Sequence, residues 1–245
     1  MIADCVITAG GRVDGEFASF IGTPVKALAP YRASTLLHAA VRAARDAGVE
    51  RIAVVGGAEV RAACAGLVDR VIEEAPEGAE NLRRALRAWN GDAPLLYLTS
   101  DMPFISADAL RSFVDRVPPQ TLALPLTEWA EFERSFPGAP PFGITLHGEK
   151  VVNGGAFVIP DGARSRIENA ATRLFDARKS LWRMARLAGP ALLVKFLLKR
   201  LSVEQLQTHA SRLLGFSAAA IRGAPAQLAY DVDSLEEYRY ALTLA

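Results

Sequence analysis

An α/β protein, with a mixed, mostly parallel, Rossmann-like sheet between two layers of helices, is what this sequence predicts. Short β-rich runs alternate with stretches of helical period through the first half, and glycines and an aspartate fall where those runs end. Of the 245 residues, 51% are hydrophobic, enough to bury a large core.

The strand candidates, in order, are Cys5–Thr8, Arg51–Val55, Val68–Ile72, Leu95–Leu98 and Thr121–Pro125. Between the first two, Ser34–Ala47 carries Leu36, Leu37, Ala40, Val41 and Ala44 at helical spacing and stops at Gly48. Asn81–Trp89 and Ala107–Arg116 are further helices, the second opened by Ser106 as an N-cap. Beyond Pro125 a Pro/Gly-rich loop, SFPGAPPFG, leads to Val151–Ile159 as a strand, where the topology becomes mixed. No repeat or low-complexity linker divides the chain, so residues 1–245 read as one domain with a basic, apolar helical insertion at about 162–222.

A formal net charge of +1 gives no global attraction to nucleic acid. Cys5 and Cys64 are too few for a disulfide framework and read as reduced, buried thiols. With no signal-peptide pattern at the N-terminus, the expected location is the cytoplasm. His38, His147 and His209 stand apart, without metal-ligand spacing, and read as packing or surface residues.

In open α/β sheets, ligands sit at the carboxyl ends of the strands, and three motifs fall there. Ala9-Gly10-Gly11-Arg12 follows the first strand. Its glycines let backbone N–H groups approach a phosphate and its arginine can grip one, although the same glycines suit any tight turn. No Gly-Lys-Ser/Thr follows, which excludes the P-loop pattern; the next lysine, Lys26, comes fourteen residues later. In LLYLTSDMPFIS, Pro103 ends the strand with Asp101 at its tip, where a carboxylate can hold a divalent metal. In YDVDSLEEYRYAL, Asp231 and Asp233 alternate along an extended segment before a helix that Ser234 and Glu237 cap; either aspartate could serve as a ligand, and Asp233 is the stronger candidate.

Together these stretches resemble the MobA-like NTP transferase superfamily of nucleotidyltransferases, over about residues 3–160 and 226–245. The resemblance implies a nucleotide-diphospho-sugar transferase type of fold. It implies a nucleotide site at Ala9, Gly10, Gly11, Arg12 and Lys26, with Gly78, Glu80 and Asn81 at the base. It implies Mg²⁺ between Asp101 and Asp233, and an acceptor side at Asn153 and Gly154. Arg12, Lys26 and Asp101 would carry catalysis. The implied reaction moves an NMP from an NTP to a small phosphorylated acceptor and releases pyrophosphate. The glycine loop departs from the family pattern, being compressed to Ala-Gly-Gly-Arg, and its run to the lysine is longer and holds Phe17 and Phe20.

Two other classes stay open. A nucleotide-sugar-dependent glycosyltransferase would usually show Asp-x-Asp, and SDMP lacks the first carboxylate. A non-catalytic nucleotide-binding module would be expected to lose one of Arg12, Lys26, Asp101 and Asp233, and all four are present. From Arg164 to Arg200, ten cations face two acids, amid leucines too few to span a membrane. That segment reads as a packed insertion, an acceptor site through Arg178 and Lys179, a homodimer surface, or a peripheral membrane contact.

Overall fold

The computed structural model describes residues 2–140, 142–177, 189–198 and 200–245. The chain enters through β1 (Asp4–Thr8), α1 (Gly15–Ile21), the hairpin β2 (Pro30–Tyr31) and β3 (Ser34–Thr35), α2 (Leu36–Asp46) and β4 (Arg51–Gly56). It continues through α3 (Ala58–Ala63), β5 (Arg70–Glu73), α4 (Gly78–Leu86), β6 (Leu95–Thr99), α5 (Ala107–Val114), β7 (Thr121–Glu128) and α6 (Trp129–Ser135). The last part holds β8 (Ile144–Leu146), β9 (Glu149–Asn153), β10 (Ala156–Ile159), α7 (Arg164–Ala177), α8 (Pro190–Leu197), α9 (Val203–Leu214), β11 (Ser217–Arg222) and α10 (Leu235–Thr243).

Among the described residues the main sheet has nine strands, in the order β5-β4-β1-β6-β10-β7-β9-β8 with β11 also paired to β7. β5, β4, β1 and β6 run parallel, with Asp4 opposite both Arg51 and Leu95. Strands such as DCVIT and LLYLT are apolar on both faces because helices cover both. On one face α2 and α5 pack Leu37, Ala40, Leu110 and Phe113 against Cys5, Ile7 and Leu98. On the other, α4 lays Ala85 and Leu86 over Val6 and Val55. An aromatic cluster of Phe17, Tyr31, Phe132, Phe136, Tyr230 and Tyr238 joins α1, α6 and α10 to the segment that carries Asp231 and Asp233.

Several boundaries move from the sequence reading. The helix expected at Ser34–Ala47 starts at Leu36, because Ser34 and Thr35 pair with Tyr31 and Pro30 and Thr35 becomes the cap, accepting from the His38 amide. The helix expected at Asn81–Trp89 starts a turn earlier, at Gly78, and ends at Leu86. The fifth strand is Arg70–Glu73 rather than Val68–Ile72.

The single strand expected at Val151–Ile159 is broken into β9 and β10. Asn153 opposes Leu126 and Val158 opposes Ala123, so five residues of one strand span three of the other. Gly154 and Gly155 take up the excess as a bulge. The helical insertion read at 162–222 is corrected at its end. Alanines in SAAAIR suit a helix in isolation, yet Ser217–Arg222 is β11, paired parallel to β7, because the sheet edge supplies its hydrogen bonds. Trp182, Arg183 and their neighbours lie outside the described residues.

Candidate active site

Thr8, Glu73 and Thr99 bring their strands to the same sheet edge, and the site is assembled there. Lys26 reaches it by backbone pairing. The Val13 amide donates to Pro24 O at 2.9 Å and the Lys26 amide to Gly11 O at 3.0 Å, which returns the chain to the glycine loop after the α1 excursion. Phe17, buried in that excursion, packs 5.5 Å from Tyr238, whereas Phe20 stays half exposed.

Lys26 Nζ lies 2.7 Å from Asp101 Oδ2 and 2.7 Å from Asp233 Oδ1. Burial alone would lower the lysine's pKa; the two carboxylates outweigh it and raise the value above the ordinary one. The Val232 amide donates to Asp101 O at 3.0 Å, which fastens the late acidic segment to the β6 tip. Asp101 Oδ1 is buried and has no hydrogen-bond partner among the described residues.

A divalent cation fits this arrangement: two carboxylates already converge on one cationic atom, and one carboxylate oxygen lacks a partner. Among the described residues no group of three His, Cys, Asp or Glu side chains could hold a metal, so phosphate oxygens and water would complete the shell.

Asp231 does not touch Lys26 in this arrangement. Burial, then the nearby charges of Asp101 and Asp233, push its pKa up to about 7. Because the folded value lies above the unfolded one, near 4, the native state loses stability as pH rises through this interval and holds it fully below. Asp231→Asn should therefore match the wild type near pH 4 and exceed it by about 4 kcal/mol at pH 8 in metal-free protein. Chemical denaturation at both pH values checks this, and equal stability at pH 8 would contradict the buried carboxylate.

The glycine-loop side holds a residue that the sequence reading missed. Glu74, just past β5, is ion-paired with Arg12 and sits so close to the loop that a Cβ on Gly10 would fall 2.4 Å from its Oε2. A carboxylate thus stands where the sequence expectation puts phosphate. Glu74→Gln should free Arg12 and bind NTP about three- to tenfold more tightly, the scale of one solvent-accessible ion pair. Equilibrium nucleotide binding decides it, and weaker binding would make Glu74 a nucleotide contact.

A pocket of about 300 Å³ is lined by Gly10, Gly11, Lys26, Gly78, Asn81 and Asp101, so six of the expected residues meet, joined by Thr8, Tyr97, Thr99 and Ser100. Asn81 spends its amide on Ala75, accepting from its N–H at 2.6 Å and donating to its carbonyl at 2.9 Å, which braces the loop before α4. Glu80 points elsewhere, paired with Arg83 and Arg84, which lower its pKa. Ala9 is buried, its amide bound to Val55 O. Asn153 stands at the end of β9, and Gly154 lies under Leu228 O.

Arg178 and Lys179 lie outside the described residues. Of the other cations in that segment, Arg164 is buried and donates to the carbonyls of Trp89, Gly91 and Ala93 at 3.1, 3.0 and 2.6 Å, so it holds the fold together. Val194, Leu197 and Leu198 are exposed. No helix among the described residues is long and apolar enough to cross a membrane.

His38 Nε2 donates to the Ala63 carbonyl at 2.9 Å and its Nδ1 pairs with the Ser34 hydroxyl, within the fold. Cys5 and Cys64 are buried and free, and burial pushes the Cys64 thiol up to about 11.

A mixed, mostly parallel sheet that gathers a glycine loop, a lysine and convergent carboxylates at its strand ends is built like a nucleotide-binding α/β protein. The chain belongs to the MobA-like NTP transferase domain family, whose match spans residues 5–137. A hypothetical transferase from Thermus thermophilus is similar at 27% identity over 97% of this chain and 99% of that one, with a TM-score of 0.83. A Mycobacterium tuberculosis protein in complex with manganese shares the fold at 22% identity, covering 99% and 98%, TM-score 0.56. So does a 2-C-methyl-D-erythritol 4-phosphate cytidylyltransferase, also from Thermus thermophilus, at 16%, covering 100% and 98%, TM-score 0.56. No curated protein matches the chain in sequence.

Proposed function

We propose that the protein moves an NMP from an NTP to a small phosphorylated acceptor, with Mg²⁺ as the resident cation and pyrophosphate as the leaving product. The convergence of Lys26, Asp101 and Asp233 at the mouth of the glycine-loop pocket carries this reading. Membership of the family supports it, and the manganese complex of a protein of the same fold supports a divalent metal.

In this reading the backbone N–H groups of Gly10 and Gly11 hold the β- and γ-phosphates, and Arg12, released from Glu74, grips the same oxygens. Lys26 neutralises charge beside the α-phosphate, while Asp101 and Asp233 hold the metal. Mg²⁺, when bound, supplies charge neutralisation on the phosphates. Asn81 keeps the loop at Ala75 and Gly78 in place for the base. Asn153 and Gly154, with Arg178 and Lys179, serve the acceptor side. An anionic acceptor oxygen needs no base, so positioning and electrostatics do the work.

The test is a pyrophosphate-release screen of the four NTPs with Mg²⁺ or Mn²⁺ against phosphorylated acceptors, with Lys26→Ala as the silent control. Release with one NTP–acceptor pair, lost in the control, is the expected result. Turnover of a nucleotide sugar without pyrophosphate would favour the glycosyltransferase alternative.

A further inference from the structure

We propose that the acceptor phosphate carries a hydrocarbon chain, of acyl or isoprenoid kind, that lies in an apolar channel beneath α9; this rests on the nucleotidyl-transfer reading above. A cavity of about 390 Å³ begins where the nucleotide pocket ends, and Leu82, Tyr97 and Thr99 line both. It runs on into a second cavity of about 320 Å³, with Leu122, Phe157 and Ala210 as shared walls. The second cavity also reaches Asn153, the expected acceptor-side residue.

The two faces of the sheet differ in how they are closed. Under α2 and α5, Ile7, Leu96 and Leu98 are fully buried. On the α9 face, Tyr97, Leu122 and Phe157 remain partly exposed. Apolar wall left open beside a polar pocket marks a ligand site.

The chemistry of the walls selects the ligand. Among the described residues of the first cavity, only Tyr97 and Thr99 carry polar side chains, and the Tyr97 hydroxyl is bound to Thr8 Oγ1 at 3.1 Å. A sugar would leave its hydroxyls without partners there, at a cost that a hydrocarbon chain does not incur.

The Thr99 hydroxyl is buried and has no partner among the described residues. It stands at the junction, at the end of β6 and two residues before Asp101. Its hydroxyl oxygen is turned towards Gly155, so the wall it presents to the cavity is apolar. In the transfer, an anionic oxygen of that phosphate bonds to the α-phosphorus. The bond from the α-phosphorus to the bridging oxygen breaks, and its electron pair leaves with pyrophosphate.

Butyl, hexyl, octyl and dodecyl phosphate, titrated calorimetrically below their micelle concentrations into the full chain with Mg²⁺, test this. Affinity should rise about fourfold per methylene until the channel is full, and dodecyl phosphate should elicit pyrophosphate from an NTP. Ala210→Trp, filling the junction of the cavities, should weaken dodecyl phosphate at least tenfold and leave NTP binding unchanged. Leu213→Gln, which puts a polar group in the same wall, should weaken it about tenfold and covers the case in which the tryptophan variant fails to fold. Affinity independent of chain length, or unchanged in both variants, overturns the proposal. Pyrophosphate release with short acceptors alone also overturns it and leaves the transfer reading standing. Chain-dependent binding with no pyrophosphate from any NTP overturns the transfer reading, and the acceptor role with it.

Discussion

Asp101→Asn is expected to leave the fold intact and to lower turnover by about a hundredfold or more. The substitution keeps the shape of the side chain and removes one of the two negative charges that converge on Lys26 Nζ. It also puts an amide where the unpartnered Oδ1 now lies, at the tip of β6. The fold should persist because the backbone carbonyl of Asp101, not its side chain, receives the Val232 amide. Pyrophosphate release, measured beside a far-ultraviolet circular dichroism spectrum, separates loss of chemistry from loss of structure. Activity within a few-fold of the wild type would remove Asp101 from the site.

Gly154→Ala should instead strike stability. A Cβ there would fall 2.1 Å from Leu228 O and 2.7 Å from Pro125 Cγ. The first of these is backbone and cannot swing aside. It is also bound, accepting from the Gly155 amide at 3.1 Å, so moving it breaks a contact that holds β10. Overpacking of this kind costs about 3 kcal/mol or more, a fall in melting temperature of about 6–12 °C for a chain of this size. Leu228 leads directly into Tyr230–Asp233, so the variant's NTP binding should weaken along with its stability. Thermal unfolding that matched the wild type would mean that the bulge can open, and that Gly154 is not fixed by the Leu228 carbonyl.

The two predictions mark the two kinds of information in the chain. The β1, β4 and β6 strands and helix α5 were legible because their signals are local: apolar runs bounded by glycine, proline or a capping serine. Asp101 was legible for the same reason, since Pro103 forces the strand to end beside it. The family resemblance drew on that order of motifs, and the match over residues 5–137 bears it out. Local propensity misled where a sheet edge was the deciding partner, as in SAAAIR, whose alanines pair with β7. It was also silent on Glu74, because nothing in EEAPEG shows that this carboxylate swings onto Arg12 and Gly10.

What the sequence by itself determined is the alternation of strands and helices in the first half and the identities of the charged residues at their ends, since period and punctuation act over a few residues. Tertiary structure alone decided that Lys26, fourteen residues beyond the glycine loop's Arg12, returns to Gly11 and stands between aspartates from two distant segments. It alone decided that α9 roofs an apolar channel running from the pocket. Both depend on contacts between residues far apart in the chain, and the burial and charge that set such contacts exist only once the sheet has brought those residues together.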